Sequence, residues 1–288
     1  QKVDDLHKHI VDDIVIPAPS GNGELRRIPE VLDCWFESGS MPYGQAHYPF
    51  ENKEQFKQGF PADFICEALD QTRGWFYTLL VLSTALFKKP AFENCVVNGL
   101  LLAEDGRKMS KSLKNYPEPS EMLEKYGADA IRIYMLNSPA LRGEELRFAE
   151  EGVREMVRRV LLPWWNSVSF LMTYAAVDEW DPETQWYTGD PTHELDVWIN
   201  AKLEELKRQV EQEMAEYRLY RVVDPLLHFL DDLTNWYIRR SRRRFWKSEH
   251  SDDKLCAYTT LYSVLLEFTE LMAPFTPFIA DEVYELLR

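Results

Sequence analysis

The order of three short patterns limits what this chain can fold into. Phe64-Ile65-Cys66 is a compact apolar run after Pro61. Residues 72–87 place Trp75, Leu79, Leu82 and Leu86 at helical spacing and stop at Lys88-Lys89-Pro90. Cys95-Val96-Val97-Asn98-Gly99-Leu100-Leu101-Leu102 is nearly continuously apolar, as a strand covered on both faces should be. Strand, helix, strand predicts a parallel α/β unit with ligand groups at the carboxyl ends of the strands. Those ends carry Glu67, Asp70 and Gln71 in one case and Arg107-Lys108-Met109-Ser110-Lys111-Ser112 in the other.

The second of these stretches follows a candidate hairpin turn at Asp105-Gly106. Two lysines flanking hydroxyls and backbone amides are what a polyphosphate needs. Taken alone, a Lys-x-x-Lys spacing is better read as a basic surface turn.

Further along, the pattern changes. Pro17-Ala18-Pro19-Ser20-Gly21-Asn22-Gly23 breaks any regular element, and 41–60 reads as irregular. Short helices are expected from Ser120 and from Gly127-Ala128-Asp129, then a long one over 148–176 interrupted by Pro163. The acidic segment 178–194 reads as a linker. Strand signals then stop. Helical periodicity fills 195–217, 222–247 and 254–272, and Thr276-Pro277 starts a fourth helix with a Thr cap and Pro in first position. The expected architecture is α/β followed by all-α, divided as 1–145, 146–190 and 191–288.

Composition narrows the function classes. At 288 residues the chain suits two domains. A net charge of −15 argues against nucleic-acid binding over the whole surface, while leaving room for a local basic patch. Cys34, Cys66, Cys95 and Cys256 are scattered, without zinc-ligand spacing, and are expected to be buried thiols with no protein-bound zinc. No stretch reads as long and apolar enough to span a bilayer, so no membrane partner is expected. Both ends are abrupt, which suggests an excised piece of a longer polypeptide.

Three stretches occur in order: Leu32-Asp33-Cys34-Trp35-Phe36-Glu37-Ser38-Gly39, Asp70-Gln71-Thr72-Arg73-Gly74-Trp75-Phe76 and Lys108-Met109-Ser110-Lys111-Ser112. With them the chain resembles the isoleucyl-tRNA synthetases of class I. Through Cys34 to Gln45 and Gly127-Ala128-Asp129-Ala130 it is most similar to their eukaryotic cytosolic form. The resemblance extends to Asn235-Trp236-Tyr237 and Ala273-Pro274-Phe275-Thr276-Pro277-Phe278. It implies the second half of a Rossmann-like catalytic domain and a helical anticodon-binding domain. It also implies ATP with Mg²⁺, L-isoleucine and tRNA(Ile) as partners, a cytoplasmic setting, and other synthetases in a complex. Lys111 and Lys108 would act on the ATP phosphates, with Met109, Ser110 and the loop amides completing an ATP cradle. Glu67, Asp70, Gln71 and Trp75 match the adenylate-binding stretch. The family usually has Gly after that Glu, and here it is Ala68. Read without the family, Trp75 is ordinary helix core, and Glu67 with Asp70 is a helix N-terminal pair. A His-Ile-Gly-His sequence is absent from this stretch, so the piece alone is expected to be inactive. A valyl-tRNA synthetase and a non-catalytic tRNA-binding or scaffolding protein remain the alternatives.

The densest basic stretch is Arg239, Arg240, Arg242, Arg243, Arg244 and Lys247. Arg240, Arg244 and Lys247 recur at helical spacing and are expected to form one exposed stripe. Contact with tRNA through Arg239, Arg240, Arg243 and Arg244 stands beside pairing with carboxylates such as Asp231 and Asp232. Arg154, Arg158 and Arg159 read as a solvated helix face.

Overall fold

The computed structural model describes residue 5 and residues 7–31, 33–110, 112–246 and 251–288. Lys111 and Lys247, both assigned above, lie outside the described residues. The chain divides into two compact units: Gln1–Ile65 with Asp70–Cys95, and Cys66–Leu69 with Val96–Arg288.

In the first unit, a short helix α1 (Lys8–Val11) precedes the antiparallel pair β1 (Val15–Pro17) and β2 (Glu24–Arg26). The Pro/Gly-rich stretch that reads as a loop is thus the turn of a small hairpin. Helix α2 (Cys34–Gly39) is capped by Asp33, whose carboxylate accepts from the amides of Trp35 and Phe36. Segment 41–60 is less irregular than expected. It holds α3 (Met41–Gly44) and α4 (Lys53–Gln58), and Tyr48, Phe56, Phe60 and Phe87 pack their rings 4.3–6.0 Å apart. Aromatic burial orders this stretch despite its turn-forming composition.

Strand β3 (Ala62–Ala68), a 3₁₀ turn over Leu69–Arg73, helix α5 (Trp75–Phe87) and strand β4 (Phe92–Asn98) give the expected order. The amide of Ala62 donates to Ala91, Asn94 Nδ2 to the Asp63 carbonyl and Asn98 Nδ2 to Cys66 Sγ. These partners climb both strands in the same sense, so β3 and β4 pair in parallel. The expectation that the Cys95–Leu102 strand is covered on both faces fails, and the Phe64–Cys66 strand is only partly buried. Ile65 is buried, but Phe64 is 50% exposed and Cys95 is open to solvent. A sheet of two strands leaves much of its surface bare. For the same reason Cys66 and Cys95 are exposed; Cys34, at the start of α2, is exposed too, and among the cysteines Cys256 alone is buried.

In the second unit, β5 (Leu101–Leu102) pairs in parallel with β6 (Leu146–Arg147). Between them lie α6 (Pro119–Tyr126) and α7 (Ala128–Leu136). Helix α8 (Glu150–Met156), a π segment over Val157–Leu161 and α9 (Leu162–Asp178) then run without a break. Pro163 does not interrupt this helix as expected. It sits in the first turn after the π segment, whose wider turn accommodates the missing amide and the ring. By length and composition alone this 29-residue helix could cross a bilayer, contrary to the sequence reading. The charges at its start hide that in the sequence. In the fold, Val160, Trp164, Val168 and Leu171 enter the protein core instead.

The remainder is helical: α10 (Glu194–Ala215), α11 (Val223–Asp231), a second π segment over Asp232–Ile238, α12 (Arg239–Trp246), α13 (Asp252–Met272) and α14 (Pro277–Leu287). One hydrophobic cluster runs from Ile133 to Leu287, and α13 is its centre. Trp164 meets Phe268 edge-on at 5.6 Å, and Phe229 lies 5.3 Å from the same ring. Each fully buried side chain of this size contributes about 1.5–3 kcal/mol. Segment 178–194 is ordered by Trp180, which is buried and stacks on Tyr258 at 5.1 Å.

Candidate functional site

The lysine loop is built on a tight turn. The amide of Gly106 donates to the Ala103 carbonyl and that of Ala103 to the Arg107 carbonyl, both at 2.8 Å, and Leu102 bridges Lys108 in antiparallel sense. Gly106 has φ +81°, and a Cβ there would also fall 3.2 Å from the Arg147 guanidinium. Arg107 is occupied by Asp105, at 2.7 Å, and its hydrogen bond holds the Asp105 carboxyl below the usual range. Past the turn, Asn115 braces the loop from inside. Its Oδ1 accepts from the amide of Ser110 (2.9 Å) and its Nδ2 donates to the carbonyl of Lys108 (3.1 Å).

The Ser110 amide is engaged by Asn115, and its hydroxyl lies 2.9 Å from that of Ser112, a contact in which either oxygen could donate. The Lys108 side chain is exposed and Met109 half-buried. Asn115 and Arg147 were missed by sequence reasoning. Asn115 could have been found as an Asx-type residue close behind a loop. Arg147 offers no sequence signal, because only the β5–β6 pairing brings it to the turn.

Glu67 is exposed near the end of β3, in the same unit as the lysine loop. Asp70, Gln71 and Trp75 belong to the first unit. There the second motif locks onto the first. Gln71 Oε1 accepts from the amide of Trp75 (3.1 Å), capping α5, while Gln71 Nε2 reaches Asp70 at 3.3 Å. Trp75 Nε1 donates to the carbonyl of Ser38 in α2 (3.1 Å). A Cβ on Gly74 would fall 2.7 Å from Gln71 Oε1 and 3.0 Å from the Trp35 ring, and one on Gly39 2.8 Å from Thr78. Both glycines are therefore demanded by close approach of α2 and α5. Trp75 is half-buried on this contact, so the plain helix-packing reading describes part of its work. Trp35, also missed, stands exposed beside it. Through Gln71 the Asp70 carboxylate is tied to the helix start that carries Trp75, with Trp35 against Gly74; a carboxylate and indoles are groups able to hold an ammonium group and wall an aliphatic chain.

On α12 the exposed-stripe expectation fails at Arg244. It is buried and forms a bidentate pair with Asp196, both bonds at 2.7 Å, with Asp253 at 2.8 Å. Tyr237 donates to the same Asp196 carboxylate (2.8 Å). Arg240 and Arg244 share one regular helix, so spacing alone puts them on one side, and it is the Asp196 and Asp253 carboxylates that draw Arg244 inward. The carboxylate partner is Asp196, not Asp231 or Asp232; Asp231 instead accepts from Asn235. Arg239, Arg240, Arg242 and Arg243 are exposed, and among the described residues none has a carboxylate at ion-pair distance. Arg154, Arg158 and Arg159 do form a solvated face, paired with Glu150, Glu151 and Glu155.

Comparisons with known proteins point one way. Residues 1–147 match the family described as tRNA synthetases class I (I, L, M and V), and residues 196–288 match the anticodon-binding domain of tRNA ligase. The chain is 55% identical over 285 residues to the isoleucine–tRNA ligase of Protochlamydia amoebophila, covering 99% of this chain and 27% of that protein. It is 50% identical over 296 residues to that of Treponema denticola, with the same coverage. The chain thus spans about a quarter of the length of these relatives. Among solved structures it is similar to Mycobacterium tuberculosis methionyl-tRNA synthetase in complex with methionyl-adenylate, with TM-score 0.73, 18% identity and coverage of 92% of this chain and 54% of that one. It is also similar to the LeuRS of the LeuRS–tRNA–LeuAMS complex of Agrobacterium radiobacter K84, with TM-score 0.66, 18% identity and coverage of 95% and 34%. At that identity the likeness is one of fold.

Proposed function

The chain belongs to the class I tRNA synthetases of the I, L, M and V group, and from this premise we propose that it is part of an isoleucine–tRNA ligase, which activates L-isoleucine with ATP and transfers it to tRNA(Ile). The observation that carries the reading is the braced lysine loop, an exposed Lys108 on a backbone fixed by Asn115, in a chain so close to isoleucine–tRNA ligases. In this reading Lys108 and Lys111 place positive charge against the phosphates as the amino-acid carboxylate attacks the α-phosphorus, where added negative charge must be held. Mg²⁺ enters with ATP as part of the substrate. Glu67 and Asp70 receive the substrate ammonium or ribose hydroxyls, and Trp75 with Trp35 walls the aliphatic side chain.

ATP–pyrophosphate exchange in the full-length protein tests this. Lys111→Ala is expected to slow adenylate formation on the order of 10²-fold while isoleucine binding changes little. Equal loss of both would show the loop to be structural. Exchange driven by valine rather than isoleucine would transfer the reading to the valyl relative.

Arg239, Arg240 and Arg243 are proposed to contact tRNA; Arg244 drops from that set because it is buried. Charge reversal at Arg239 and Arg243 should weaken tRNA(Ile) binding and flatten its salt dependence. The division into 1–145, 146–190 and 191–288 is kept as the proposed domain plan. The eukaryotic cytosolic type, with a cytoplasmic location and other synthetases as partners, rests on the wording of Cys34 to Gln45 and of Gly127-Ala128-Asp129-Ala130, while the relatives compared above are bacterial. Co-purification of further synthetases with the tagged natural protein would support it, and recovery of the protein by itself would oppose it.

A further inference from the structure

One feature of the arginine helix is not explained by phosphate contact. Trp236 is 46% exposed. The guanidinium carbon of Arg240 lies 3.7 Å from the centroid of its indole. Trp198 of α10 packs on the same indole with centroids 6.4 Å apart at 54°. The neighbours of Trp236 in sequence explain why it faces outward. Tyr237 and Ile238 enter the core, and the Asn235 side chain is tied to Asp231. The π segment over Asp232–Ile238 sets this phase, and local π geometry is frequent at functional sites.

A guanidinium stacked on an indole has one face covered and one face open, with its N–H donors directed outward in the plane. The open face suits a flat aromatic ring, and the donors suit a nearby oxygen. A phosphate would be held by the donors alone and would have no use for the indole beneath. The surroundings select a polyanion. Arg239, Arg242 and Arg243 flank the stack, exposed and without a described carboxylate partner, in a chain whose net charge is −15. A ligand that is flat, aromatic and attached to phosphates is a nucleotide of an RNA strand with its base unpaired.

We infer that Trp236 and Arg240 form a stacking platform for one unpaired nucleobase of the RNA. The inference rests on the reading that this helix contacts tRNA, and it adds a contact of a different chemistry. Stacking is tolerant of base identity, because every base has a π face.

Salt dependence separates stacking from phosphate contact. Binding of labelled tRNA(Ile) to the full-length protein is measured across a salt series. Trp236→Ala is expected to weaken binding roughly tenfold without changing the slope of log affinity against log salt. Trp236→Phe, which keeps a ring, should recover most of the loss. Arg240→Lys keeps the charge and loses the plane, so it should weaken binding at an unchanged slope. Thermal melting checks that each variant is folded, and because Arg240 is exposed its variant decides the matter even if Trp236→Ala is unstable. The platform is overturned if Arg240→Lys binds as the wild type does while Arg240→Gln lowers the slope by roughly 0.7–0.9. It is also overturned if folded Trp236→Ala binds within about twofold of wild type. If charge reversal at Arg239 and Arg243 leaves binding unchanged but the Trp236 and Arg240 variants weaken it as stated, the phosphate reading fails and the platform stands. Wild-type protein that binds no tRNA ends both.

Discussion

The same short stretch holds two arginines with opposite fates, and burial decides between them. Arg240 remains at the surface over Trp236, whereas Arg244 is drawn in by Asp196. Removing a partner from a buried pair leaves an unpaired charge in the protein interior. Arg244→Ala is therefore expected to destabilise the protein by about 3–5 kcal/mol, seen as a lowered midpoint in urea. Replacing Arg244 and Asp196 together with apolar residues should cost much less, because no orphan charge remains. A similar loss in the double variant would mean that the side chains matter for packing rather than charge. Cys256 reports on the same pocket: burial first, then the Asp196 charge, pushes its thiol up to about 11. It should resist alkylation at pH 8 in the folded chain and react once the chain is unfolded in urea.

Between elements, two carboxylates join segments that are distant in sequence. Glu150 at the start of α8 accepts from Lys125 and from the Tyr126 hydroxyl of α6, each at 2.6 Å. The Lys125 bond first, then that from Tyr126, lowers its pKa from 4.5 to about 2. A carboxyl depressed in the folded state stabilises above its unfolded pKa and loses that contribution as pH falls through the folded one. The stability difference between wild type and Glu150→Gln should thus be full above pH 4.5 and shrink toward pH 2. A difference independent of pH would assign the effect to shape. Asp129 of α7 accepts from the amides of Phe278 (3.4 Å) and Ile279 (2.7 Å), capping α14 from across the fold. Asp129→Ala should cost about 0.5–2 kcal/mol and loosen α14, measurable as faster amide exchange there. That cap shows where sequence reading ends. Pro277 in first position was legible, and so were the helices of the bundle, because their periodicity and breakers are local. Thr276 was expected to cap α14, but its hydroxyl back-bonds to Met272 and a residue 150 positions away supplies the cap. The motifs named the candidate site, yet Asn115, Arg147 and the inward turn of Arg244 depend on tertiary pairing that no spacing announces.

On the scale of the whole molecule, the two units differ in how much apolar surface each buries within itself. The second unit holds a continuous cluster from Ile133 to Leu287, with Trp164, Tyr237, Tyr258 and Phe268 almost fully enclosed. In the first unit the buried apolar side chains among the described residues are Phe56, Ile65, Phe76, Leu79 and Ala91. Its helix α5 leaves Tyr77, Leu80, Val81 and Leu86 in solvent, although Leu86 shares the helical spacing of Trp75, Leu79 and Leu82. Opening free energy follows buried apolar contact, so regions poor in it open locally before the molecule unfolds as a whole. Hydrogen exchange of the 288-residue chain should show the amides of α5 exchanging well before those of α9 and α13. The difference should persist in denaturant too low to unfold the bundle, since α13 places Val264, Leu265, Phe268 and Met272 in the largest cluster, while α5 relies on its contact with α2. Gly39→Ala, which would force α2 and α5 apart, should speed exchange in α5 and leave α13 untouched. Equal protection of α5 and α13 in the unaltered chain would show instead that the close glycine contacts and the Trp75–Ser38 bond hold the first unit as firmly as the aromatic core holds the second.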